Sequence, residues 1–221
     1  MKKLFIVIVF IVSFASVQGQ YNYSKFNYYS LGLKLGPDMF SYDFDEAKGI
    51  TKDDNFNFSV GVEGAYYITW LFEVHASINW SSRNMTLLWN YPIDPDALAK
   101  SEYKLNYLNI PIEIRFNALY LNWMKLNIGA GIMPDFRFRP KEYLTYQDGT
   151  VDESIKFWNT KNFTSVLFAF PLSVNATFYI NRHYNIAVGV GYNVYVNKIH
   201  KDYLASPANS VIIRAGMCYD W

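Results

Sequence analysis

Charged side chains recur at alternate positions along most of this 221-residue sequence: Lys34 and Asp38, Glu63, Glu73 and Arg83, Glu113 and Arg115, Lys125, Asp135, Arg137 and Arg139, Arg214 and Asp220. Their signs nearly balance. In extended chain every second residue points to one face, so these groups meet as ion pairs only if the segments carrying them line one shared interior. The expected ion network draws on Glu63, Glu73, Glu113, Arg115, Arg137 and Arg214. Charge pairing that fills a narrow channel is the chemistry this pattern favours, and a narrow pore or proton path is its alternative.

Bond-making chemistry has little to work with. The histidines are His75, His183 and His200; the first falls on the charged face, the second in a short turn and the third in a long link. No G-x-S-x-G element or H-E-x-x-H pair is present, so a catalytic site, a metal centre and a cofactor are not expected. The first long link carries Asp43, Asp45, Glu46, Asp53 and Asp54 against Lys48 and Lys52, but without EF-hand spacing it is a solvated loop. Asp94-Pro95-Asp96 ahead of Ala97-Leu98-Ala99 has the residues to cap a short helix. Asn-x-Ser/Thr triplets at Asn57, Asn79, Asn84, Asn162 and Asn175 fall mostly inside extended segments, as an Asn- and Ser-rich face would give. Cys218, the one cysteine, has no partner for an internal disulfide and is expected as a small buried side chain.

Eight segments place the charged face. Their apolar faces are Tyr29 to Met39, Phe56 to Ile68, Phe72 to Trp80, Leu108 to Phe116, Met124 to Phe138, Thr164 to Ile180, Ile186 to Val196 and Val211 to Trp221, each taken at every second residue. The sixth alternates without a break from Phe163 to Ile180, longer than the five or six residues usual in globular proteins. A tilted membrane-crossing strand needs about nine to eleven residues plus aqueous ends. Pro111, Pro134 and Pro171 fall inside segments and predict bulges or bends. A further one-residue bulge is expected where the apolar parity shifts from Tyr103, Leu105 and Tyr107 to Leu108 and Ile110.

Alternation cannot say which face is inside, because a soluble lipid-binding barrel and a membrane barrel turn their apolar faces in opposite directions. The polar faces are rich in Gly, Ser, Asn and Ala, which suits a narrow filled lumen. Links near Thr69 to Leu71, Leu119 to Trp123 and Asn181 to His183 are short, while those near Asp43 to Asn55, Asn90 to Ser101, Pro140 to Asn162 and Lys198 to Asn209 are long. Outer-membrane barrels show this asymmetry, with short periplasmic turns and longer outer loops. Tyr66, Tyr67, Trp70, Trp123, Tyr179 and Tyr184 flank the short turns, and Trp80, Trp89, Phe136, Phe138 and Phe163 the long links, as two interfacial girdles would.

Lys2 and Lys3 precede the apolar stretch Leu4 to Val12, and a secretory signal peptide cleaved after Gly19 is expected. Its loss moves the formal charge from +1 to about −1, which offers nucleic acid nothing. Aromatics make up 19% of the chain, a usage that suits strands and interfaces.

Tyr107-Leu108-Asn109-Ile110-Pro111-Ile112-Glu113-Ile114-Arg115-Phe116, followed by Gly129-Ala130-Gly131, resembles the central segment of the PorT-like outer-membrane β-barrel family of Bacteroidota-type bacteria. The opening Leu31-Gly32-Leu33-Lys34-Leu35-Gly36 strand and the aromatic-ended last strand are similar as well. The resemblance implies an eight-stranded outer-membrane barrel and an association with protein secretion.

The expectation is therefore an all-β, eight-stranded antiparallel up-and-down transmembrane barrel over residues 20–221, after a signal peptide at 1–19. It would be a non-enzymatic structural or assembly component seated in outer-membrane lipid and lipopolysaccharide, with secretion-machinery proteins as partners. A small-solute pore and a secreted soluble lipid-binding barrel are the alternatives, and the long link Pro140 to Asn162 is the expected partner surface.

Overall fold

The computed structural model describes residues 29–41, 50–53, 57–89, 98–152, 164–199 and 208–221. The expected signal peptide, the Asp94 helix cap, His200 and Phe163 lie outside them. The strands are β1 (Tyr29–Ser41), β2 (Ile50–Asp53), β3 (Phe58–Tyr67), β4 (Phe72–Trp89), β5 (Leu98–Asn109), β6 (Ile112–Tyr120), β7 (Met124–Tyr146), β8 (Val151–Asp152), β9 (Val166–Tyr179), β10 (Tyr184–Tyr195) and β11 (Asn209–Asp220). Every pairing is antiparallel, each wall lies beside its neighbour in sequence, and β11 returns to β1. Counting β5 and β6 as one wall, this is a closed eight-stranded barrel.

Closure satisfies the ladder groups that an edge would leave bare. Tyr29 and Trp221 exchange backbone hydrogen bonds at 3.4 and 3.1 Å. Apolar residues at alternate positions face outward all round the wall: Leu33 is 66% exposed, Ile114 63% and Phe168 53%. Their neighbours Lys34, Arg115 and Leu167 are buried inside. A wall that is greasy outside and charged inside fits lipid outside, not solvent.

Around the three prolines the ladders skip residues without a change of register, so the bulge half of the expectation of bulges or bends is not met. Pro111 separates β5 from β6, yet the register against β7 is the same on both sides: Asn109 faces Asp135 and Ile112 faces Ile132. Pro171 pairs with Asn193 in an unbroken ladder, and the β7–β9 register is equal before and after Pro134 and Pro171. A missing amide costs the ladder one donor without adding a residue, so nothing forces a slip. The register shifts in this wall lie elsewhere: between Leu98 and Lys100, between Asn117 and Leu119, and where Lys104 faces Lys141 but Asn106 faces Phe138.

The expected parity change at Tyr107 and Leu108 is absent. Tyr103, Leu105, Tyr107, Asn109, Pro111, Glu113, Arg115 and Asn117 all face inward in one alternation. What changes is the chemistry of the interior, from apolar near the long links to charged farther in.

The walls are also unequal. β4 runs for 18 residues and β7 for 23, against 12 in β10 and β11. The link expected from Pro140 onward is thus strand as far as Tyr146, and it turns back through Gln147 to Thr150 into β8. Gly149 holds φ at 84°, which glycine adopts without strain. The Thr150 amide and hydroxyl both donate to Asp148, at 2.8 and 2.6 Å.

Candidate functional site: a filled lumen

From the short-turn end upward, the lumen is stacked in layers. At the mouth, Lys125 on β7 donates to Glu73 of β4 at 2.6 Å and to the Tyr67 hydroxyl of β3 at 3.0 Å. The ammonium also lies 4.4 Å from the Tyr67 ring centre. Tyr120 packs 6.1 Å from Tyr179. Tyr67 is therefore a mouth residue and not, as its position beside a turn suggested, part of the girdle; it is only 7% exposed. The girdle at this end is built by the expected Tyr66, Trp123 and Tyr184 together with Tyr29, Tyr219 and Trp221, whose rings neighbour one another or Phe178 at 5.2 to 6.2 Å.

One layer higher, Glu63 collects three donors from three walls. His75 Nε2 lies 2.9 Å from its Oε2, Lys34 Nζ 3.3 Å from the same oxygen, and the Cys218 thiol donates to Oε1 at 3.2 Å. Lys34 also donates to Ser77 at 2.9 Å. Beside them Arg115 Nε donates to Glu113 at 2.9 Å, and Ser173 donates to the same carboxylate at 2.8 Å. Arg115 Nη1 reaches to within 3.8 Å of Glu73, linking this layer to the mouth.

In the next layer, Arg83 donates to Asp135 at 2.7 Å and its Nε lies 3.7 Å from Asp38. Phe40, Tyr107 and Tyr195 surround the guanidinium at 4.8, 4.8 and 5.0 Å. The Tyr195 hydroxyl donates to Asp135 at 2.8 Å. Above this, and beside it at Met133 and Ala169, the interior turns apolar: Met85, Leu87, Tyr103, Leu105, Met133, Leu167, Ala169, Ile199 and Ala208 belong to one buried cluster.

The filling follows from size. An eight-stranded interior is about as wide as its side chains, so long charged groups on β4, β6 and β7 need small residues opposite. Ala187, Gly189, Gly191 and Gly216 supply them on β10 and β11. One cavity, of about 40 Å³, lies beside those strands, lined by Lys34, Glu63, Glu113, Arg115 and Arg214 among others. That is room for a few waters, since about 10–15 Å³ of such space is enough to hold one.

Of the residues expected to form the ion network, Arg115 joins Glu113 and Glu73 directly, and Glu63 lines the same cavity as Glu113 and Arg115. Arg214 lines the cavity, where its Nε finds no hydrogen-bond partner among the described residues. Arg137 sits farther out, half-buried on the inward face, and does not join the Glu63 and Glu113 cluster. Alternation left Met85, Leu87 and Met133 unassigned to the lumen. The place of Met85 and Leu87 shows only once β4 is known to run past Arg83, while Met133 shares the inward parity of Asp135 but is apolar by type. Among the described residues no group of three or more His, Cys, Asp or Glu side chains could hold a metal ion.

A family model described as an outer membrane protein beta-barrel domain matches residues 14–202. The chain belongs to the outer membrane protein beta-barrel domain family. Two solved relatives in shape are OprG of Pseudomonas aeruginosa and Neisserial surface protein A. OprG is 13% identical over 88% of this chain and 97% of that one, with a TM-score of 0.51. The Neisserial protein is 11% identical over 87% and 97%, with a TM-score of 0.50. At such identity the likeness is one of fold. No curated protein sequence matches the chain. Membership in this barrel family places the protein in the outer membrane, with the apolar outer band against lipid.

Proposed function

We propose that this outer-membrane barrel is a sealed, non-enzymatic structural and assembly component, a rigid post that holds its outer extension and its periplasmic rim in place. The observation that carries the reading is the filled lumen: three charged layers with a buried apolar cluster above and beside them. An ion crossing it would have to break buried pairs and then shed its water in the apolar layer, and hydrophobic constrictions of this kind stop conduction. Liposomes loaded with a small sugar should not swell faster with the folded protein than without it; size-dependent swelling would favour a solute pore instead.

The resemblance to PorT-like barrels supports placing this post in protein secretion, with secretion-machinery proteins as partners and export by a signal peptide cleaved after Gly19. The sheet that β4, β5, β7 and β8 raise beyond the wall is the surface such a partner would meet. A photo-crosslinker at Val151, 60% exposed on β8, should capture secretion subunits in the native membrane, and capture of lipid alone would remove the secretion role.

A further inference from the structure

The outward face of β5 and β7 changes character at the register shift between Lys104 and Asn106. Below it lie Phe136 and Phe138, with Trp80 on β4, all at the upper edge of the apolar band. Above it Lys104 stands directly across from Lys141, and both side chains are exposed. Like charges directly opposite on neighbouring strands repel. Lys104 Nζ lies 4.5 Å from the ring centre of Tyr143, which holds the ammonium at this spot. Lys100 shares the face and pairs with Glu102 at 2.5 Å. Among the described residues no carboxylate pairs with Lys104 or Lys141, so the patch carries about two uncompensated positive charges.

Height decides what would neutralise it. Lys141 follows Phe138 by three residues, which at the rise and tilt of a barrel strand puts it on the order of 6 Å above the aromatic edge. That is the headgroup level of the outer leaflet, where an outer membrane presents phosphorylated glycolipid. We infer that Lys104 and Lys141, with Tyr143 and Lys100 beside them, form a binding site for the phosphate of an outer-leaflet glycolipid whose acyl chains lie against Phe136, Phe138 and Trp80. The site rests on the barrel's seat in the membrane and is independent of whether the lumen is sealed. A phosphate between the two ammoniums removes their repulsion, and the apolar groups below it select a lipid over a free ion.

The test uses the full folded chain in detergent with three probes: bisphosphorylated lipid A, the same lipid dephosphorylated, and inorganic phosphate. Binding is read by native mass spectrometry, and folding by the gel shift between boiled and unboiled samples. The wild type should bind the phosphorylated lipid at least tenfold tighter than the dephosphorylated one. Lys104→Gln with Lys141→Gln should weaken the phosphorylated lipid roughly 30-fold, since each lysine near a charged membrane surface supplies about a factor of five. Arg182→Gln, in an exposed short turn at the opposite end, should change nothing. Equal binding of the two lipids by the wild type overturns the site even if the double variant fails to fold. So does a double variant that binds like wild type, or an equal loss in Arg182→Gln. Displacement of the lipid by millimolar inorganic phosphate would overturn the lipid as its occupant.

Discussion

Arg83→Ala is expected to be the most damaging single change in the lumen. The guanidinium neutralises Asp135 at 2.7 Å and faces Asp38 at 3.7 Å, and both aspartates are essentially unexposed. Removing one partner of a buried pair typically costs about 3–5 kcal/mol, because a charge is left without compensation. The lost contacts to Phe40, Tyr107 and Tyr195 add to this, at about 0.5–2 kcal/mol for each cation–π pair. Water entering the vacated volume offsets part of the sum, so about 4 kcal/mol is a fair expectation. With a urea slope of about 2 kcal/mol/M, the midpoint should fall by about 2 M. Reversible unfolding in lipid vesicles, followed by tryptophan fluorescence, measures it. The triple variant Arg83→Met, Asp38→Asn, Asp135→Asn should recover most of the loss, since an uncharged replacement of a buried network is often near neutral. An Arg83→Ala barrel within about 1 kcal/mol of wild type would refute the reasoning. So would a triple variant as unstable as the single one.

Three further outcomes are expected. A Cβ at Gly129 would lie 2.6 Å from Ser173 Oγ and 2.8 Å from Arg115 Cγ and Glu113 Oε2; Gly129→Val should therefore cost about 1–3 kcal/mol by overpacking, read as a lower temperature for losing the gel shift. Leu33→Arg, on the lipid-facing side of β1, should cost about 2–4 kcal/mol near the bilayer midplane, whereas a water-facing wall would tolerate it within about 0.5 kcal/mol. Cys218 is 7% exposed and donates to Glu63, so maleimide should label the folded barrel at least about 100-fold more slowly than the urea-unfolded chain, as expected for a buried thiol; equal rates would mean an open lumen.

The wall was readable from sequence because a strand in a barrel has two different solvents, and a period of two records them residue by residue. Leu33 and Lys34, or Ile114 and Arg115, declare their faces by type alone. The outer half of the lumen was not readable in this way. Tyr103, Leu105 and Tyr107 are apolar yet point inward, and alternation cannot separate an apolar interior from an apolar exterior. Reading their parity as a lipid face required a bulge that the chain does not make. The prolines misled for a related reason: a missing donor looks like a break, but Pro111 and Pro171 leave the register untouched because their neighbours still pair. Tyr67 and Tyr179 sit beside turns like girdle residues, yet both share the inward parity, Tyr67 with Glu63 and Tyr179 with Thr177. The individual pairs, such as Lys125 with Glu73 and Arg83 with Asp135, join residues 52 apart in each case. Those partnerships depend on barrel register, which no local pattern encodes.

The central claim is that the lumen is filled and sealed. Single-channel recording of the folded wild-type barrel in a planar bilayer tests it most directly. A sealed barrel shows no discrete conductance across the usable voltage range. Stable ohmic channels from the wild-type protein would contradict it.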